Sequence, residues 1–210
     1  MARSESLRRE TPRRPLQNRV DPFGVLHAVS ARGTLMGNRG GRFHRDDQTL
    51  GARRFVSRRW IACVCSFKDR HRDVWGAGYT ELFFLDEPTA LAAGHRPCFE
   101  CRRKDALAFL EALGMQESGP RADELDLRLH QERLQSGDKR LRPMEISELP
   151  DGAMIVEAGG AFLIRGDAML AWRFEGYEAP VRRPMSGKVA VVTPPLILEA
   201  LRAGYRPRWA

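Results

Sequence analysis

A chain of 210 residues is long enough to bury the core of one large domain or two small ones. Its 42% hydrophobic and 30% charged residues exclude a disordered chain, and no apolar run approaches the ~20 residues that span a bilayer as a helix. A net charge of +8, carried mostly by arginine, points to a phosphate-bearing partner, because the planar guanidinium holds phosphate through two parallel hydrogen bonds.

In chain order, residues 1–20 read as a flexible basic arm holding Arg3, Arg8, Arg9, Arg13, Arg14 and Arg19. A strand is expected at 25–29, followed by a glycine-rich loop at 33–44. Within that loop, Gly37-Asn38-Arg39-Gly40-Gly41-Arg42 suits either a hairpin turn or a cradle in which backbone N–H groups approach a phosphate. A strand at 55–67 would set Trp60, Ala62 and Val64 on one face and Ile61, Cys63 and Cys65 on the other. Arg39, Arg42, Arg45, Arg53, Arg54, Arg58 and Arg59 crowd its approach. Residues 68–78 read as polar turns and 82–85 as a short buried strand. Asp86 is placed to cap a helix at 88–93, and Gly94 to end it in the left-handed conformation.

A helix follows at 103–113, then a turn-rich break at 114–121 that is the best interior boundary. A second helix at 122–135 stops at Gly137. From there the chain is strand-rich, at 153–156, 161–165 and 189–192, with Gly159-Gly160 as a hairpin signal. Thr193 as N-cap and Pro194 at the first helical position open a last helix. Its end, 200–207, repeats 90–97 at six of eight positions, which reads either as one capping device used twice or as two copies of a strand–helix–turn unit. In the second copy Arg208 stands where Cys98 stands in the first.

The four cysteines form two tight pairs, Cys63-x-Cys65 and Cys98-x-x-Cys101, with 32 residues between them. Two short pairs on separate turns can supply the four soft ligands of a tetrahedral zinc, so Zn2+ is the expected cofactor. His44 is the alternative fourth ligand to Cys65, giving three thiolates and one imidazole. Cysteines at this spacing, behind an amino end without an apolar signal core, place the expected address in the reducing cytoplasm.

Residues 79–102, ending in Gly94-His95-Arg96-Pro97-Cys98-Phe99-Glu100-Cys101-Arg102, resemble the zinc-binding, methyl-phosphotriester repair domain of bacterial Ada proteins. The resemblance covers 60–102 only. It implies that Cys98 and Cys101 bind zinc and that Cys63 accepts a methyl group from a DNA phosphotriester. The family's first pair is Cys-x3-Cys where this chain has Cys-x-Cys. The expected fold is α+β: a small mixed sheet with short helices around a zinc site, then a helix and a β-rich C-terminal half. The expected division is 1–20 arm, 21–114 Ada-like zinc-binding region, and 121–210 helix with a β-rich region packed on it.

On the helix at 122–135, Asp126, His130 and Arg133 form one polar stripe at i, i+4 and i+7. Asp126 could orient His130 as a general base, with Arg133, Lys139 and Arg140 on a phosphate; a solvated face explains the same spacing. Asn38, Arg39, Arg42, Arg58, Arg59, Arg102 and Arg103 are the expected phosphate contacts, and Phe43, Trp60 and Trp75 suit base stacking. These readings point to a zinc-stabilised protein that binds nucleic acid, DNA favoured, in a repair setting. The alternative is an enzyme acting on a nucleic acid or phosphorylated substrate, with zinc as a structural support.

Overall fold

The computed structural model describes residues 14–70, 73–115, 121–135 and 138–210. Six strands, β1 (Arg19–Val20), β2 (Leu26–His27), β3 (Leu35–Arg39), β4 (Trp60–Val64), β5 (Leu82–Phe84) and β6 (Arg96–Pro97), form one sheet in the order β2-β1-β5-β3-β4-β6. Pairing is parallel for β1 with β5 and for β4 with β6, and antiparallel for the other neighbours, so the sheet is mixed.

The stretch read as a glycine-rich loop, 33–44, contains β3, an interior strand of the sheet. A Cβ on Gly37 would stand 2.3 Å from the Ile61 carbonyl oxygen and 2.8 Å from the Phe84 ring, so glycine serves close packing between strands. Gly40, at φ +85°, does turn the chain, and its N–H donates to Asn38 Oδ1 at 3.0 Å. The end of the expected basic arm also belongs to the sheet: Arg19 lies in β1, with its guanidinium 4.7 Å from the centre of the Phe83 ring. Arg3, Arg8, Arg9 and Arg13 lie outside the described residues.

Helix α1 (Glu87–Ala92) starts where the sequence places its cap, with Asp86 accepting from Thr89 N at 3.0 Å and from Thr89 Oγ1 at 2.7 Å. It ends at Gly94, φ +85°, with His95 N donating to Ala90 O at 2.9 Å. Helix α2 (Arg103–Ala112) and helix α3 (Arg121–Arg133) follow, and α4 (Pro195–Arg202) closes the chain. At the end of α4, Gly204 has φ +106° and Tyr205 N donates to Ala200 O at 2.9 Å. The sequence echo thus marks one capping geometry at two helix ends. The start of α4 falls later than expected: Thr193 Oγ1 accepts from Met154 N at 2.8 Å, and Pro194 takes the cap position.

After α3, β7 (Leu134–Gln135) and β8 (Asp138–Lys139) pair antiparallel. The other strands are β9 (Arg142–Glu145), β10 (Met154–Glu157), β11 (Gly160–Arg165), β12 (Ala168–Arg173), β13 (Gly176–Tyr177), β14 (Val181–Arg182) and β15 (Lys188–Val191). They form an antiparallel sheet in the order β13-β12-β11-β10-β15-β9, with β14 against β12. The pairing of Glu157 with Gly160 leaves Ala158-Gly159 as a two-residue loop with both φ positive, as a type I′ hairpin requires.

The fold is α+β, and its parts share their cores. Leu91 of α1, Phe109 and Leu110 of α2, Leu125 and Leu129 of α3, and Leu196 and Leu201 of α4 belong to one buried cluster. A second cluster joins Leu85 and Ala92 to Met154, Leu163, Trp172 and Val192 of the C-terminal sheet. Polar contacts follow the same seam. Trp172 Nε1 donates to Thr89 Oγ1 at 2.9 Å, and Tyr177 donates to Asp86 at 2.8 Å. The buried Glu87 pairs with Arg102 at 2.6 Å and accepts from the Tyr205 hydroxyl at 2.5 Å. Among the described residues no helix is long and apolar enough to cross a membrane.

Candidate metal centre

The parallel pairing of β4 with β6 creates the centre. Ala62 lies beside Pro97 in that register, and Cys98 N donates to Ala62 O at 3.0 Å, so the turn after β6 begins next to Cys63. The sulfurs of Cys63, Cys98 and Cys101 all lie within 4.8 Å of one another. Zinc–sulfur bonds of ~2.3 Å in a tetrahedron put sulfurs roughly 3.8 Å apart, so a small contraction would bring the three onto one ion. Glu100 N donates to Cys98 Sγ at 3.4 Å, an N–H···S contact that favours thiolate. Met36, Ile61 and Phe83 pack around the group.

Three thiols this close compete for protons when no cation holds them. Cys63 is pushed far up by its hydrogen bonds with Cys101 and Cys98 and by burial, whereas Cys98, hydrogen-bonded by Cys101 and Cys63, is pulled well down. A divalent cation resolves that competition by taking all three as thiolates. The group can therefore hold a metal ion, with a further coordination position for a ligand from outside the three cysteines.

Cys65 stands apart. It is exposed, and its thiol donates to Thr34 O at 3.5 Å. Residues two apart on a straight strand are roughly 6.6 Å apart along it, too far for both sulfurs to reach one ion without a bend. His44 is buried and engaged elsewhere, with Nδ1 2.8 Å from Thr80 Oγ1, Nε2 3.1 Å from Gly76 O, and its ring stacked on Trp75.

The expected phosphate contacts divide into two sets. Arg58, Arg59 and Arg103 are exposed, Arg59 meeting the equally exposed Asp123 at 2.9 Å, and Arg42 pairs with Asp46. Arg39 and Arg102 are buried, at 2% and 3% exposure, and Arg102 spends its charge on Glu87 and Asp105. Asn38 and Arg59 line a cleft of about 300 Å³ whose wall includes Cys98, Tyr79 and Phe99. The aromatics expected to stack on bases, Phe43, Trp60 and Trp75, are all buried; Tyr79, not among them, is half exposed.

The helical stripe of Asp126, His130 and Arg133 forms as spaced, but the three make no catalytic relay. Both Asp126 oxygens accept from Arg96, at 2.8 and 2.7 Å, so the carboxylate faces the knuckle strand β6 and not His130. His130 packs edge-on against Phe55, and burial lowers its pKa. Arg133 is fully buried and turns towards Trp60. His95, three residues before Cys98 and so a second contender for a metal ligand, is expected from the sequence to point outward from its turn; it is instead wholly buried between Trp60 and Phe84, with Nε2 accepting from Arg39 Nε at 3.3 Å.

The class this defines is an α+β protein with a three-cysteine group able to hold a metal ion. No family model, curated protein or solved structure matches the chain.

Proposed function

We propose that this chain is a zinc protein that binds nucleic acid along the cleft beside Cys98. The observation that carries the reading is the convergence in one concavity of Asn38, Arg59, half-exposed Tyr79 and the cysteine turn. The exposed Arg59 supplies a phosphate contact, the Tyr79 ring offers a face for a base, and the metal fixes the turn from which Phe99 projects. Zinc is the metal assigned because three soft thiolates with N–H···S support suit it. The resemblance of 60–102 to the Ada repair domain makes DNA the first partner to try, and a DNA-repair role the biological setting.

The test is a fluorescence-anisotropy titration with single-stranded DNA, duplex DNA and RNA across a salt series. Log affinity should fall linearly with log salt, and Arg59→Gln should lower the slope by about 1, the share of one phosphate contact. The absence of binding to all three at low salt, in a folded, metal-loaded sample, refutes the reading.

A further inference from the structure

Consecutive residues on β3 and β4 face opposite sides of the sheet. Asn38 and its partner Ile61 line the cleft beside the cysteines, whereas Arg39 and its partner Trp60 line a different cavity, of about 310 Å³. That volume is at the lower end of the roughly 300–1,000 Å³ usual for small organic ligands. Phe23, Leu26 and Phe55 give it apolar walls, and Arg39, Arg133 and Lys139 bring three cationic groups into it from β3, α3 and β8.

Carboxylates act on these cations only at longer range. Among the described residues no carboxylate lies within ion-pair distance of any of the three. The nearby acids are committed elsewhere: Asp21 to His27 at 2.8 Å, Asp126 to Arg96 at 2.7 Å, and Glu132 to Leu196 N at 2.8 Å. The cations are anchored by backbone carbonyls instead. Arg39 donates to Gly24 O at 2.8 Å, Arg133 to Leu129 O at 3.0 Å and Arg58 O at 3.2 Å, and Lys139 to Ala92 O. Both guanidinium groups also lie against the indole of Trp60, at 3.9 and 4.5 Å from its centre.

Donors remain unspent. Arg133 Nη2 is buried with no hydrogen-bond partner, Lys139 uses one of its three N–H groups, and the terminal nitrogens of Arg39 each keep one. Burial, and the charges of neighbouring arginines, pull the pKa of Arg39 down to about 9 and that of Lys139 well below its ordinary value; burial pulls Arg133 to about 9. Cations held out of water without a direct counter-ion are costly, and an anion that accepts their spare hydrogens offsets that cost.

We propose that this cavity binds a phosphate monoester. The dianion suits three converging cations better than a monoanionic carboxylate does, its terminal oxygens accept the spare N–H groups, and its organic part fills the apolar space beside Phe23 and Phe55. The monoester is either a free mononucleotide-like molecule or the phosphorylated end of a nucleic acid, since both present the same group. This site is distinct from the cysteine cleft and does not depend on it.

The experiment uses the intact, metal-loaded protein in phosphate-free buffer and isothermal titration calorimetry. Adenosine 5′-monophosphate is compared with adenosine, and a short 5′-phosphorylated oligonucleotide with its unphosphorylated counterpart. At least one phosphorylated probe should bind more tightly than its counterpart, and which one does so identifies the source. Lys139→Met should weaken that probe roughly 10- to 100-fold, the usual loss for one charged hydrogen bond. It should leave the fold intact, because it replaces a buried charge by an apolar group of similar shape; if it does not fold, Arg54→Gln on the exposed rim takes its place, with a several-fold loss expected. The proposal is overturned if neither phosphorylated probe outbinds its counterpart, or if the folded variant binds them as tightly as the parent.

Discussion

Asp126 offers the sharpest separation between a catalytic and a structural role. Its side chain is 2% exposed, that of Arg96 is 5% exposed, and the two meet through two hydrogen bonds of 2.8 and 2.7 Å. Replacing Asp126 by Asn removes the charge but little volume, so Arg96 is left buried and unpaired. Removal of one partner of such a pair costs about 3–5 kcal/mol, a large part of a domain's usual ~5–15 kcal/mol. With a urea m-value of about 2 kcal/mol per M, the midpoint should fall by roughly 1.5–2.5 M. Asp126→Leu combined with Arg96→Met removes both charges and should recover most of that loss. The assay is urea unfolding followed by tryptophan fluorescence and by far-ultraviolet circular dichroism. A midpoint shift below about 0.5 M for Asp126→Asn, or no recovery in the double variant, refutes the argument that this pair ties the knuckle strand to α3.

One metal ion per chain is expected, and inductively coupled plasma mass spectrometry should show it lost in Cys63→Ser, Cys98→Ser and Cys101→Ser but kept in Cys65→Ser; loss in the last as complete as in the others would put the fourth ligand at Cys65. His95 is buried, and burial, then the charges of Arg39 and Arg133, hold its pKa well below 6.5. The unfolded chain therefore takes up a proton first, so the stability owed to neutral His95 is present above pH 6.5 and is lost as pH falls below it, by at most ~1.4 kcal/mol per pH unit. Urea midpoints at pH 7.5 and 5.5 should differ less in His95→Gln than in the parent; an equal difference would assign the acid sensitivity elsewhere. Cys63 is 6% exposed, so incubation with methyl-phosphotriester DNA should leave it unmodified by peptide mass analysis, and a stoichiometric methyl adduct there would show that the centre opens.

Much of the local structure was legible because it depends on near neighbours. Asp86 three residues before Thr89, and Gly94 and Gly204 after their helices, carry their capping geometry in the residue types themselves. Cys98-x-x-Cys101 likewise announces a turn able to present two sulfurs to one ion. Glycine was the ambiguous letter: Gly37 reads like a loop residue, but its meaning lies in Ile61 and Phe84, which approach it from other strands.

The sequence by itself thus determined the Asp86 cap and the two glycine helix ends, the cysteine turn, the α+β class and the excess of positive charge. Tertiary structure alone decided which charges face water and which sulfurs meet. The parallel register of β4 with β6 brings Cys63 to Cys98 and leaves Cys65 at Thr34, a choice made by strand pairing between segments over thirty residues apart. The arginines divide in the same way. Arg59 and Arg133 are indistinguishable by type, but α3 buries its own Arg133 against Trp60, whereas Arg59 stays exposed beside the cysteine cleft, paired at the surface with Asp123. The physical reason is that burial belongs to the assembled surface: whether a guanidinium is solvated, paired or turned towards a cavity depends on elements that the local sequence does not contain.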